Sequence, residues 1–292
     1  MLMGKAMRLG VMGTLTVAGA LALSGASAMA ALASPSPAVY TCSGGEVNFA
    51  DPPSSTYGPD IPSGTYSSLT IEGLCEPAPN AVITVIGNIT VAPGGVLDAQ
   101  GNPSTITVGH QVIAEPGSFL ALGCLPHPPG HFYGHPCGTS LVGNPLDGID
   151  PATASSHITV NGNLTADGAN TVVLNGITVM GNVALTGGGG PIPWAIKLNT
   201  IGGNITISGV TPDWVGLVKN TIGGNANLSN IHITDPTDPT PTVQITLNTV
   251  GKNLNCSDIG PYLSGGVIPG EVNTVGGKAT GQCQNLQSGP VT

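Results

Sequence analysis

Residues 199–204 read Asn199-Thr-Ile-Gly-Gly-Asn204, and the phrase returns as Asn220-Thr-Ile-Gly-Gly-Asn225, Asn248-Thr-Val-Gly-Lys-Asn253 and Asn273-Thr-Val-Gly-Gly-Lys278. Successive copies start 21, 28 and 25 residues apart. Fainter copies of the Gly-Asn-apolar core occur at Gly87-Asn88-Ile89, Gly162-Asn163-Leu164 and Gly181-Asn182-Val183, with Gly109-His110 as a further imperfect one. Inside each unit the apolar residues alternate with polar ones, as in Ile205-Thr206-Ile207 and Val82-Ile83-Thr84-Val85. Period-2 alternation rich in Val, Ile and Thr, with Gly or Pro at the bends, is the pattern of short strands. No stretch of ten or more residues sustains a 3.6-residue apolar stripe. Strands at a coil-length period without helices between them predict an all-β, single-stranded parallel β-helix with coils of about 19–28 residues and very little helix. Equivalent side chains then stack about 4.8 Å apart, and an Asn in each coil can bond to the next and to the bend backbone. That makes the repeated Asn structural. It also accounts for the Asn-x-Ser/Thr patterns at Asn88, Asn163, Asn204 and Asn227 through an inward ladder, without glycans.

The chain opens with a different kind of segment. Lys5 and Arg8 precede an apolar run from Leu9 to Leu23, and small residues follow at Ala26-Ser27-Ala28 and Ala31-Leu32-Ala33. This is the grammar of a secretory signal peptide over residues 1–33, with cleavage after Ala28, Ala30 or, preferentially, Ala33. The apolar run is too short for a membrane span, so no transmembrane anchor is expected in the mature chain. An exported chain turns six cysteines into disulfide candidates, for which fifteen pairings exist. Their spacing suggests the sequential set Cys42–Cys75, Cys124–Cys137 and Cys256–Cys283. Residues 34–80 are expected to form a disulfide-closed cap over the open apolar end of the solenoid. Residues 81–292 form the β-helix itself. A Pro- and His-rich insertion interrupts it at 124–156, and shorter loops do so at Thr234–Thr242 and Gly187–Pro191.

Composition narrows the function. With 45 Gly and 26 Pro the 292 residues border on low complexity, yet 40% are hydrophobic and mean hydropathy is +0.26, which argues for a folded chain. The formal charge is −9. Removing Lys5 and Arg8 leaves four Lys, no Arg and fifteen carboxylates, or −11. Such a surface cannot neutralise a run of phosphates, which makes nucleic acid and anionic membranes poor partners.

The cap phrase Ile61-Pro-Ser-Gly-Thr-Tyr66, the coil phrase Val91-Ala-Pro-Gly-Gly-Val-Leu-Asp98, the Asn repeats and the closing Lys278-Ala-Thr-Gly-Gln-Cys283 resemble a group of secreted repeat proteins of high-GC Gram-positive (actinobacterial) bacteria. The resemblance covers nearly the whole mature chain. It implies export and a right-handed parallel β-helix, and it carries over no active site. More distantly, the coils are similar to bactofilin-like and pectate-lyase-like β-helices. Bactofilins are cytoplasmic, at odds with the signal peptide, and the Arg or Lys base beside calcium-binding carboxylates of pectate-lyase-like sites is argued against by a mature chain with no Arg and only four Lys.

Three further patterns bear on chemistry. Asp147 and Asp150, like Asp235 and Asp238, sit close in sequence, where Asp is usually a turn former rather than half of an acid–base pair. His127, His131 and His135, with Cys124 and Cys137 nearby, have the ligand types zinc or copper accepts, although the Pro and Gly between them forbid a helix. Trp194 and Trp214, 20 residues apart, would stack on neighbouring coils and, with Lys197 and Lys219, could present two indoles and two ammonium groups to a sugar polymer. The bland reading of the same pair is two indoles covering apolar gaps. Thr is abundant because it suits strands, and its spacing is too irregular for a flat ice-binding array.

The reading expected from the sequence is a secreted, extracellular structural or adhesive protein of the cell surface or matrix, without catalytic activity and without a cofactor. The alternative is a glycan or cell-wall polymer binding module; polysaccharide lyase or hydrolase activity ranks last. Partners would be cell-wall or extracellular polysaccharide, or further copies of the chain.

Overall fold

The computed structural model describes residues 36–48, 53–127, 134–142, 144–234, 242–265 and 272–288. All regular structure among them is strand. Residues 1–33, expected from the sequence to be a signal peptide, lie outside the described residues.

Three parallel faces wind around one apolar core. The first face contains Val82–Val85, Thr105–Val108, His157–Val160 and then the short Thr-Ile or Thr-Val strands of each repeat. The second contains Ile89–Val91, Val112–Ala114, Leu164–Asp167, Val183–Thr186, Ile205–Val210, Ala226–His232 and Leu254–Gly260. The third is an eight-stranded parallel sheet that runs from Leu74–Cys75 to Tyr262–Ser264. Coil length follows from the ladder partners: Asn163 and Asn182 are 19 residues apart, and Asn225 and Asn253 are 28. Alternation sends one side chain in and the next out. The inward rows, such as Ile205, Ile207, Val215 and Leu217, are fully buried.

The repeat phrase turns out to build two Asn ladders, not one. Its first Asn lies inside the corner between third and first faces. Asn199, Asn220, Asn248 and Asn273 are each at most 1% exposed. Each of the first three donates its side-chain amide to the Oδ1 of the Asn in the following coil, at 2.8–2.9 Å. The same amide groups also reach a third-face carbonyl of the preceding coil: Leu174, Ile196 and Leu217. The last Asn of the phrase stands on the outer corner between first and second faces. There Asn182, Asn204, Asn225 and Asn253 donate in the opposite sense, to the Oδ1 of Asn163, Asn182, Asn204 and Asn225 in the preceding coil. Asn163 and Asn204, expected to point inward, therefore belong to the surface ladder. Gly203 is explained by the same ladder, since a Cβ there would stand 2.5 Å from Asn182 Oδ1.

Corner lengths differ in a regular way. From the coil of Val82 onward three residues intervene between first and second faces, as at 86–88, 161–163, 202–204 and 251–253, whereas the strand Gly64–Ile71 passes from one face to the other with two. The corners on either side of the third face vary: 34 residues separate Leu122 from His157, seven separate Thr186 from Trp194 and nine separate His232 from Thr242.

The three expected disulfides are present, Cys42–Cys75, Cys124–Cys137 and Cys256–Cys283. Cys256 is in register with Gly281 on the next coil, which brings Cys283 within reach. The boundary of the cap needs correction. Gly64–Ile71, assigned by composition to the cap, is already a coil strand that pairs with both Val82–Val85 and Ile89–Val91. Its outward Ser and Thr hid it. What remains of the cap is the strand Ala38–Cys42, laid parallel on Gly64–Ile71, and the antiparallel hairpin Gly45–Asn48 with Ser54–Tyr57.

Candidate functional site

The outer surface of the third face is where side chains with chemistry gather. One outward row runs in register through Asp98, Ala121, Val173, Ala195, Gly216 and Gln244. Its small residues in the middle coils leave a floor, and the loops from the variable corners fold over it. The result is a cleft of about 460 Å³ lined by Val173, Ala195, Pro193, Trp214, Lys197, Gln100, His135 and Leu141 among others.

The two tryptophans part company here. Trp194 is in register with Val215, so Trp214 is one residue out of step with it. A one-residue slip in a strand moves a side chain to the other face. Trp194 is therefore an inward core residue, 0% exposed, with its indole N–H donated to the Asn170 carbonyl at 3.0 Å. Trp214 points outward, half-buried, and its ring lies over Gly216, where a Cβ would overlap it. The expected stack of two indoles on one flank is overturned, because the coil period at this point is 21 residues rather than 20. The lysines divide likewise. Lys197 is half-buried in the cleft with its Nζ 5.3 Å from the Trp214 ring centroid. Lys219 is exposed at the next corner, in the left-handed position (φ 56°) that Leu198 and Leu247 occupy in their coils, and takes no part in the cleft.

The histidine set is also redistributed. His131 lies outside the described residues. His127 is exposed, and His135 is a half-buried wall of the cleft. Burial, and then the Lys197 charge and His127, hold the His135 imidazole below its ordinary range. A neighbour that repels protons also repels metal cations, and Cys124 and Cys137 are spent in a disulfide. Among the described residues no three His, Cys, Asp or Glu side chains converge as a metal site.

Beside the cleft lies a buried acidic cluster that sequence reading missed. Tyr57 of the hairpin donates its hydroxyl to Asp98 Oδ2 at 2.6 Å and accepts the Leu141 amide N–H at 3.1 Å. Asp98 Oδ1 accepts the Gln100 N–H. One bond system thus ties the N-terminal hairpin, the third face and the insertion loop together. Glu76 stands beside Asp98 on the preceding coil, one residue beyond the partnered pair Cys75 and Leu97. Asp98 is 1% and Glu76 8% exposed, and Glu76 Oε2 has no hydrogen-bond partner. Burial raises both carboxyls; for Glu76, with Asp98 and Asp60 adding to it, the pKa reaches about 7. Burial and Asp98 push the Tyr57 phenol upward as well. The signal in the sequence was Asp98 itself, a carboxylate between Leu97 and Ala99 in a strand. Of the paired Asp, Asp150 is a turn former that accepts the Ala152 N–H and the Thr153 hydroxyl; Asp235 and Asp238 lie outside the described residues.

A wider hollow of about 480 Å³ at the far end of the second face is lined by His232 and Asp258, an exposed pair 3.6 Å apart, and no Trp, Tyr or Phe borders it. The third-face cleft is the richer site. No protein-family model, curated protein or solved structure matches the chain. What the cleft can hold follows from its own chemistry.

The separation of the two indoles gives a direct optical prediction. Acrylamide is expected to quench the Trp194→Phe variant efficiently and the Trp214→Phe variant several-fold less, because the remaining indole is half-buried in an open cleft in the first and enclosed in the core in the second. Equal Stern–Volmer constants would show that the register is wrong.

Proposed function

We propose that this is an exported, extracellular scaffold protein of structural or adhesive role, which holds a polysaccharide through the third-face cleft and performs no catalysis. The observation that carries this reading is the half-buried Trp214 ring, set over Gly216 beside Lys197 in an open cleft. Indole faces complement the C–H faces of sugar rings, and amide, imidazole and ammonium groups around them supply hydroxyl partners. The carboxylates beside the cleft, Glu76 and Asp98, are sealed beneath the hairpin and the loop, where acid–base work on a polymer has no access. Three disulfides suit an oxidising compartment, and among the described residues no helix is long and apolar enough to cross a membrane.

The test is co-sedimentation of mature protein with isolated cell wall and insoluble polysaccharides. The wild type is expected in the pellet and a folded Trp214→Ala variant in the supernatant. A wild type that stays in solution with every polymer would overturn the reading.

A further inference from the structure

Lys197 is a half-buried cation whose charge partner among the described residues is the Trp214 ring rather than a carboxylate. Its side chain is half-buried on the third face, and burial alone holds the ammonium below its ordinary range. Among the described residues no carboxylate pairs with it; the ion pair they contain is His232 with Asp258. Acid is not in short supply, since fifteen carboxylates face four lysines once the signal segment is gone. A cation taken partly out of water without a carboxylate partner is costly, and an anion arriving from outside recovers part of that cost. The surroundings fit such an arrival. Sharing the cleft with Lys197 are the Trp214 ring, the His135 imidazole and the buried Gln100, whose amide N–H is committed to the Gly123 carbonyl at 3.3 Å. The acidic cluster does not neutralise the site either: Asp98 is engaged by Tyr57 and the Gln100 N–H.

Building on the polysaccharide reading above, we infer that the cleft recognises a carboxylate-bearing sugar, with Lys197 pairing the carboxylate and Trp214 stacking on the ring. The sugar would sit on the small-residue floor of Val173 and Ala195, where a larger outward side chain would fill the cleft.

The experiment is calorimetric titration of the full mature chain with a glucuronate oligomer and with its carboxyl-reduced, neutral counterpart. The acidic oligomer is expected to bind at least about tenfold more tightly, the size of one charge-assisted contact, and to weaken as salt is added. Lys197→Met is expected to remove that preference and Lys197→Arg to keep most of it. Because Lys197→Met removes a half-buried charge with no carboxylate partner among the described residues and keeps an apolar stem against Trp214, its thermal midpoint should not fall, which separates lost recognition from lost folding. Equal binding of the two oligomers by the wild type, or an unchanged preference in Lys197→Met, would overturn the carboxylate inference while leaving the polysaccharide reading intact. Binding of neither oligomer overturns the inference; the polysaccharide reading falls with it only if co-sedimentation is also negative.

Discussion

Replacing Asn220 by alanine is expected to lower the unfolding free energy by about 3–5 kcal/mol, the summed cost of stranding several buried polar groups. Asn220 donates to the Ile196 carbonyl and to Asn248 Oδ1, each at 2.9 Å, and its own Oδ1 accepts both the backbone and side-chain N–H of Asn199. Alanine leaves a carbonyl and two N–H groups without these partners in a corner that is 1% exposed. Asn182, on the outer corner, has a similar bonding pattern, accepting from both nitrogens of Asn204 and donating to Asn163. It is exposed, so water can replace each lost bond, and Asn182→Ala should cost about 1 kcal/mol or less. Urea unfolding of the two variants decides the matter. Equal losses would mean that the inner ladder owes nothing to its burial.

Stability should fall as pH rises from about 4.5 to about 7, with Glu76 as the main source. Its carboxyl has an ordinary value of 4.5 in the unfolded chain and about 7 in the folded one. The folded state therefore holds the proton more tightly. Its contribution is complete below pH 4.5, declines as pH climbs toward 7, and is absent above it. After allowance for solvent screening, the shift corresponds to about 2–3 kcal/mol across that window. Asp98 is raised by burial too and acts in the same direction. The usual behaviour of a surface-paired carboxylate is the reverse. Urea midpoints at pH 5 and pH 8 should show the decline for wild type, and Glu76→Gln should flatten most of it by fixing the neutral state. A variant with the same slope as wild type would place the titrating group elsewhere.

The architecture was legible because its cause is local. Alternating Ile-Thr-Ile segments, Gly at the tight corner and an Asn per coil state the strand, the bend and the ladder within a few consecutive residues. The disulfide partners were legible for a related reason: ladder register brings Cys256 and Cys283 close on adjacent coils. The site was only half legible. Trp214, Lys197 and His135 were all singled out, but in the company of Trp194, Lys219 and two other histidines. Telling inward from outward required the coil period to within one residue, and loops of variable length erase that precision. The acidic cluster was invisible for a different reason. Tyr57 lies 41 residues from Asp98 and 84 from Leu141, and the three meet only because a hairpin and an insertion loop dock on the same face.

The unequal corners bear on how such a chain can change over time. From the coil of Val82 onward the three-residue corner keeps one length, and the outer Asn ladder that spans it depends on that constant register. The flanks of the third face already tolerate loops of very different size. Insertions and exchanges of sequence can thus accumulate beside that face while the framework is inherited intact. A lineage built on this chain would diversify on one side only, keeping two faces as constant support and remodelling the third.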